Sequence, residues 1–329
     1  FSLSTVIGPI LGPPIGALFV TYANWRWIFF TNVPFCLVGA WLALRFVDDL
    51  REPERSTLDV VSFTLMGMAL GGLVFGFETG GRGMLPLSVA LTLLAAGSAS
   101  LVAYALHARG STNPAIDLGL LRGRQVFSAA ILGGALLRMA LGAQPVVLPL
   151  LLQLGFGMSA LWSGSLTIFS AIGAITPRLF LRQIVRLAGF RRVLVWATVA
   201  VSANFLIFAV LWPGVPIPVL IALLLLSGMG RTTLMLSLNT LGYAEVPPER
   251  MSRATTIVSM SQQLFNSLGV SVGATLLSLT LALRGASDLG AADFWPTYVV
   301  LAALPLLSLF YFVPLPSDVG DELSGHRGG

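Results

Sequence analysis

The 329-residue sequence contains no lysine, one cysteine and two histidines, and charged residues make up only 10% of it. The single cysteine, Cys36, excludes an intramolecular disulfide and a cysteine metal cluster. His107 and His326 are far apart in sequence, and the plausible carboxylate partner that the sequence offers is Asp117, loosely near His107. No phosphate-binding glycine loop of the Walker type is present, which argues against ATP hydrolysis. We therefore expect neither an enzyme nor a metal or organic cofactor.

Apolar residues dominate the composition, at 56% of the chain. They fall into long runs, and a membrane-spanning helix needs about 20 consecutive apolar residues. Only helices satisfy all their backbone groups internally in a bilayer without closing a barrel. The sequence therefore predicts an all-α polytopic membrane protein with about ten transmembrane helices. They are predicted at 1–22, 26–47, 59–78, 85–107, 125–152, 158–180, 190–212, 216–244, 252–284 and 294–314.

All 19 basic residues are arginines, and most of them fall in alternate gaps between these helices. The arginine-rich gaps and tail hold Arg51, Arg55, Arg109, Arg122, Arg124, Arg178, Arg182, Arg186, Arg191, Arg192, Arg250, Arg253 and Arg327. The opposite gaps hold Arg26, Arg82 and Arg284. Since basic loops stay in the cytoplasm, this asymmetry predicts a multi-pass protein with both ends of the chain cytoplasmic. The net charge of +5 is then assigned to loops facing anionic lipid, not to a nucleic-acid surface.

Glycines and prolines are concentrated in residues 8–17, which read GPILGPPIGA. Gly8, Gly12 and Gly16 recur every four residues, so they share a helix face that allows close approach of a neighbour. An ordinary small-residue packing seam is one interpretation. The segment also resembles the antiporter motif G-x-x-x-G-P-x-x-G-G of the major facilitator superfamily, on Gly8, Gly12, Pro13, Gly16 and Ala17, with alanine in place of the last glycine. Pro9 is a second helix-bending residue in the same segment.

The string WRWIFFTNVP at 25–34 is similar to the start of the sixth helix in the fourteen-helix drug:proton antiporter branch of that superfamily. The resemblance extends over essentially the whole chain and is closest to the MdtD-like permeases. It implies a major facilitator fold that lacks its first four helices and functions as a monomer. The implied regions are the last two helices of the N-terminal bundle at 1–47, a linker hairpin at 48–108, a C-terminal six-helix bundle at 109–316 and a cytoplasmic tail at 317–329.

Two arginines, Arg138 and Arg231, lie near the middle of predicted spans. An arginine at that depth is costly unless it faces a water-filled cavity or a partner, so both are candidate substrate-binding residues. A structural lock to a backbone carbonyl or a polar side chain is the alternative for each. Neutral polar residues that would complete a cavity are Gln144, Gln153, Asn239, Gln262, Gln263 and Asn266. Interhelical hydrogen bonds are the alternative role for these six.

No acidic residue lies deep in a predicted span. Proton antiport requires a group that titrates within the membrane, so we expect the coupling carboxylate in the missing first helices. The function implied by the resemblance is proton-coupled export of drugs or small amphipathic molecules by alternating access, in the cytoplasmic (inner) membrane of a bacterium. A dedicated metabolite exporter of the same fold and a non-transporting membrane fragment are the alternatives. A cavity with two arginines and no carboxylate favours anionic or neutral substrates over cations.

Overall fold

The computed structural model describes residues 12, 15, 16, 18, 19, 22–24, 26–46, 59–82, 85–108, 110, 125–247, 250–285 and 288–316. Throughout these residues the secondary structure is helical, without a strand. Nine of the described helical segments are long and apolar enough to cross a membrane. The predicted all-α polytopic architecture is confirmed. The remaining predicted span, the first in the chain at 1–22, lies mostly outside the described residues.

Eleven α-helices are numbered here in chain order along the described residues. They are α1 (Trp27–Phe30), α2 (Asn32–Phe46), α3 (Val60–Arg82), α4 (Leu87–Ala108), α5 (Gln125–Leu150), α6 (Ala160–Gly173), α7 (Ile175–Ala188), α8 (Phe190–Ala209), α9 (Ile217–Ala244), α10 (Met251–Arg284) and α11 (Trp295–Phe312). A π-helical turn, Leu151–Gly155, extends α5, and a 3-10 turn, Ala291–Phe294, precedes α11.

Helices α3 and α4 form an antiparallel hairpin that is held together by glycine contacts. A Cβ atom added to Gly72 would lie 2.8 Å from the Cα of Gly97, so only glycine allows the two backbones to come this close. At the open end of the hairpin, Nε2 of His107 lies 3.0 Å from a carboxylate oxygen of Asp59. The carboxylate partner of His107 is therefore Asp59 from the start of α3, whereas sequence proximity suggested Asp117, which lies outside the described residues.

The hairpin packs against the unit formed by the seven helices α5–α11, called the six-helix unit because α6 and the start of α7 belong to one apolar span. Their shared apolar cluster contains Met66, Ala69 and Tyr104 from the hairpin and Phe127, Ile131, Val246, Ala254, Ile257 and Val258 from the larger unit. Tyr104 and Phe127 are fully buried in it. The predicted linker hairpin therefore packs on the six-helix unit mainly through the contact of α3 with α10. The domain limits drawn from the sequence stay a prediction.

Helices α1 and α2 differ from the others because none of their described side chains is buried. Trp41 and Phe35 remain largely exposed, as do most apolar side chains of α2. The described core of the protein therefore belongs to the hairpin and the six-helix unit.

The predicted span 158–180 agrees with the apolar span Ala160–Leu181. The helix itself breaks at Ala174 and continues as α7 to Ala188. Pro177 explains the break, since it has no N–H to donate to the carbonyl of Gly173, one turn earlier. The expected loop before residue 190 is reduced to Gly189, whose φ of 78° ends α7 and which is followed directly by α8.

The first turn of α5 is capped by a side chain from α9's C-terminal end. Oε2 of Glu245 accepts hydrogen bonds from the backbone N–H groups of Val126, at 3.1 Å, and Phe127, at 3.4 Å. These are donors that a helix cannot satisfy internally, and a carboxylate also interacts favourably with the positive end of the helix dipole.

Replacing Glu245 by Ala should lower the free energy of unfolding by about 1 kcal/mol, the usual effect of losing an N-terminal cap. Thermal unfolding of the purified protein in detergent measures this change. Glu245→Gln is the matched control, because its amide oxygen still accepts a hydrogen bond, and its loss should be smaller. Equal unfolding temperatures for Glu245→Ala and the unsubstituted protein would show that the cap contributes nothing.

Candidate functional site

A cavity of about 560 Å³ lies between α5, α6 and α9. Helices α5 and α6 hardly touch each other, whereas both pack on α9, so a space opens between them. Its apolar wall includes Pro145, Leu148 and Pro149. Its polar lining includes Gln144, Gln153, Thr167, Ser170, Arg178 and Arg231. The cavity therefore combines an apolar surface with a few hydrogen-bonding groups, which is typical of a small-molecule site.

Gln144 is fixed at the wall of this cavity by a bond between two helices. Its Nε2 donates a hydrogen bond of 2.8 Å to Oγ of Ser227 on α9. Both side chains are buried. Because the amide nitrogen is engaged, the orientation of the Gln144 side chain is set before any ligand binds.

Arg231 lies one helical turn after Ser227 on the same helix and also lines the cavity. It is about 21 Å from the start of α9, a helix of roughly 42 Å, and therefore near the middle of the span. Its side chain is exposed, that is, not covered by the other described residues of the protein. Within the part of the chain that the structure describes, it has neither a hydrogen bond nor an ion pair. The arginine is thus open to whatever occupies the cavity.

Helix α6 reaches α9 through two glycines at the cavity wall. An added Cβ at Gly228 would lie 1.8 Å from the carbonyl oxygen of Ser170, and one at Gly173 would lie 2.1 Å from that of Leu225. The two backbones are therefore in direct contact. Glycine at both positions is what allows α6 to form this wall.

Two prolines interrupt the backbone hydrogen bonding of helix α5 where it borders the cavity. Pro145 and Pro149 lie inside it and have no N–H to donate to the preceding turn. The helix then widens into the π-helical turn, in which the N–H of Phe156 donates to the carbonyl of Leu151 at 3.0 Å. Gln153, which lines the cavity, is carried by this turn. Wide turns of this kind occur frequently at functional sites.

Arg138 was indistinguishable from Arg231 by sequence, but the structure places it elsewhere. Its side chain is only 2% exposed, and it lies outside the cavity lining, with Nη1 against Gly134. Its Nε and Nη1 atoms have no hydrogen-bond partner within the described residues. Arg138 is therefore enclosed in the bundle, and its predicted role in substrate binding stays a prediction.

The other predicted neutral residues are also outside the cavity lining. Oδ1 of Asn239 is buried without a hydrogen-bond partner among the described residues, on α9. Asn266 lies at the close crossing of α10 and α5, where its backbone would contact a Cβ added to Gly142. Gln262 is half-buried on α10. Gln263 is exposed on the same helix. Of the predicted residues, the cavity lining includes Gln144, Gln153 and Arg231.

The predicted antiporter motif is described only in part. Gly8, Pro9 and Pro13 lie outside the described residues, whereas Gly12 and Gly16 are helical. A Cβ added to either described glycine would meet no atom within 4 Å. The close helix approach expected at this face is therefore not made by the described part of the chain.

Two functional features escaped the sequence analysis. Arg178 was assigned to a cytoplasmic gap, but it lies on α7 and lines the cavity. Asp293 was assigned to a loop, but it is buried at the start of α11 and forms an ion pair with Arg284. The signal available for Arg178 was Pro177, which marks a helix break inside a continuing amphipathic pattern. Groups of three or more metal-ligating side chains do not occur in the described ranges.

The sequence model of the Major Facilitator Superfamily matches residues 1–270, which include the helices that build the cavity. The chain belongs to this superfamily. It is 33% identical over 324 residues to a protein named as a multidrug resistance protein, MdtD, of Escherichia coli O6:H1. The MdtD of Shigella boydii serotype 18 is similar to the same extent, also 33% over 324 residues. In both comparisons the alignment covers 98% of this chain and 68% of the relative.

Membership in the superfamily, together with the nine apolar helices of the described part, makes this chain a multi-pass secondary transporter. It is not an enzyme. Fold similarity alone does not give the substrate of a transporter, because function depends on the site and not on the fold. The substrate therefore has to be inferred from the cavity lined by Gln144 and Arg231.

Proposed function

We propose that the protein exports small amphipathic molecules across the bacterial inner membrane and that the cavity between α5, α6 and α9 belongs to the substrate pathway. The observation that carries this proposal is Arg231, which has no hydrogen bond or ion pair within the described residues and is open to a cavity at mid-membrane depth. An arginine inside a membrane span is costly, and one that faces a cavity can have its charge compensated by water or a ligand. A cavity of about 560 Å³ is within the range that accommodates drug-sized molecules.

Transport would proceed by alternating access, in which two bundles rock around a site near the middle of the membrane. The α6–α9 contact and the Gln144–Ser227 hydrogen bond hold three helices of one bundle in a fixed arrangement around the cavity. In this proposal, the glycine–proline segment containing Gly12 and Gly16 packs at the interface between the bundles and limits leakage.

The proton gradient is the proposed driving force, with a coupling carboxylate outside the described residues. Three of the five carboxylates that the structure describes have local roles. Asp59 accepts hydrogen bonds from Ser62 and contacts His107, Glu245 caps α5, and Asp293 pairs with Arg284. None of these three lines the cavity. This supports a division in which the described bundle binds the substrate and another part of the transporter binds the proton.

The orientation proposed from the arginine distribution places both ends of the chain in the cytoplasm. Arg191 and Arg192, at the start of α8, would then face the cytoplasmic leaflet. A dedicated metabolite exporter is the second candidate, and the polar lining around Gln144 and Thr167 supports it. A metabolite with several hydrogen-bonding groups would use this lining more fully than a largely apolar drug.

Proton-coupled transport should appear as substrate-dependent proton movement in proteoliposomes containing the purified protein. We expect addition of a transported compound to collapse an imposed pH gradient, as read by a pH-sensitive dye, and a protonophore to abolish accumulation of the compound. Screening a set of amphipathic drugs against a set of polar metabolites would separate the two candidates. Substrate accumulation that persists with the protonophore would contradict proton coupling. If neither the drugs nor the metabolites cause proton movement, an antiport mechanism is contradicted.

A further inference from the structure

The charge of the cavity lining is uniformly positive in the described part of the chain. Arg231 contributes a guanidinium group that has no ion pair among the described residues, and no aspartate or glutamate of those residues lines the cavity. In a region of low dielectric constant, such charges act strongly on any ion that enters. A cation would therefore be repelled from this cavity, whereas an anion would be attracted.

Arg231 is the group that can bind an anion directly. Its guanidinium has no hydrogen bond or ion pair within the described residues, so its donors are available. The planar guanidinium matches a carboxylate through two parallel N–H···O bonds, and these charge-assisted bonds are stronger than neutral ones. A bound carboxylate would also compensate a charge that otherwise remains costly at this depth.

The remainder of the lining indicates what would be attached to the carboxylate. Pro145, Leu148 and Pro149 present an apolar surface along one wall. Gln144 lies beside them, with its amide nitrogen engaged by Ser227, so that its carbonyl oxygen is the group available to accept a hydrogen bond. A molecule with an apolar body and one anionic end satisfies both parts of the lining.

We infer that the cavity selects carboxylate-bearing amphiphiles over cationic ones and that Arg231 binds the carboxylate. This inference rests on the proposed function, since it names the substrate class of the same cavity. It separates this protein from exporters of lipophilic cations, whose sites require negative charge.

Two xanthene dyes provide a matched pair of probes, fluorescein with a carboxylate and rhodamine 6G as a cationic ester. Fluorescence anisotropy with the purified protein in neutral detergent, at physiological ionic strength, gives the dissociation constant of each dye. We expect the dissociation constant of fluorescein to be lower than that of rhodamine 6G by roughly tenfold or more, because charge-assisted hydrogen bonds form only with the carboxylate. Comparable binding of the two dyes, or tighter binding of rhodamine 6G, would overturn the inference.

Arg231→Gln should weaken fluorescein binding by roughly tenfold or more, because it removes the charge and the paired donors. It should leave rhodamine 6G binding unchanged or slightly tighter. Arg231→Lys, which keeps the charge without the planar fork, should be intermediate and guards against a misfolded glutamine variant. Arg192→Gln is the control, since Arg192 is an exposed arginine outside the cavity lining. Unchanged fluorescein binding by a monodisperse Arg231→Gln protein would overturn the assignment.

The binding measurement is independent of transport. Selective binding of fluorescein without substrate-dependent proton movement would contradict the proposed function but not the inferred selectivity. Proton-coupled transport of rhodamine 6G without fluorescein binding would support the proposed function and contradict the inferred selectivity.

Discussion

Gly228→Val should disrupt the contact between α6 and α9 and strongly destabilise the bundle. Even the Cβ atom of the new side chain would lie 1.8 Å from the carbonyl oxygen of Ser170 and 3.0 Å from the backbone nitrogen of Ala174. Both atoms belong to the backbone of α6 or its end, so a rotamer change cannot relieve the clash. The helices would have to separate, and we expect a loss of about 3 kcal/mol or more, at the upper end for overpacking.

The matched control for this prediction is Gly71→Val in α3. Gly71 is also a glycine within a membrane-spanning helix, but a Cβ there would meet no atom within 4 Å. Both substitutions introduce the same side chain into a helix, so the difference between them isolates the packing effect. Thermal unfolding and size-exclusion profiles in detergent are the measurements. Equal unfolding temperatures for the two variants would show that the α6–α9 backbone contact is not formed.

Arg284→Ala should destabilise the junction between α10 and α11. Asp293 is 1% exposed, and its carboxylate accepts hydrogen bonds from Nη1 of Arg284 and, at 2.7 Å, from the N–H of Gly290. Removing the arginine leaves the buried carboxylate with only one of these two donors, the N–H of Gly290. Breaking a buried ion pair costs about 3–5 kcal/mol, and we expect the lower end, near 3 kcal/mol, because Arg284 is half exposed to solvent.

The double variant Arg284→Ala with Asp293→Asn distinguishes loss of charge compensation from loss of packing. Asparagine keeps an acceptor for the N–H of Gly290 but carries no charge, so the double variant should recover much of the lost stability. Thermal unfolding of the two single variants and the double variant gives the coupling energy between the residues. A double variant that is no more stable than Arg284→Ala would contradict the ion-pair explanation.

The spans were predictable because a bilayer imposes length and hydropathy on each helix, and these are properties of consecutive residues. The predicted limits 216–244 and 252–284 are within one residue of Ile217–Ala244 and Met251–Arg284. The predicted limit at residue 180 agrees with the end of the apolar span at Leu181, but the helix continues to Ala188. Arg178, Arg182 and Arg186 all lie on this helix, α7, so the gap that their charges predicted is helical, and the helix break comes earlier, at Ala174.

The site was less predictable, because its members are brought together by packing between helices. Arg138 and Arg231 have the same sequence signal, a single arginine near the middle of an apolar run. Only the rotation of each helix about its axis decides that one is enclosed and the other open to the cavity. Likewise, Ser227 as the partner of Gln144 depends on the contact of α5 with α9 and has no signal in either segment.

The two sides of the cavity differ in how easily they deform. The contact at Gly173 and Gly228 joins backbone to backbone, and it has no side-chain rotamers through which it could adjust. Helix α5, on the other side, contains two prolines and a π-helical turn and is joined to α9 by the Gln144–Ser227 hydrogen bond. A helix bends more easily at prolines and π-helical turns than in a regular segment, because fewer backbone hydrogen bonds have to be broken there. The cavity thus has a stiff wall formed by α6 and a compliant wall formed by α5, and widening or narrowing it requires the least distortion at α5.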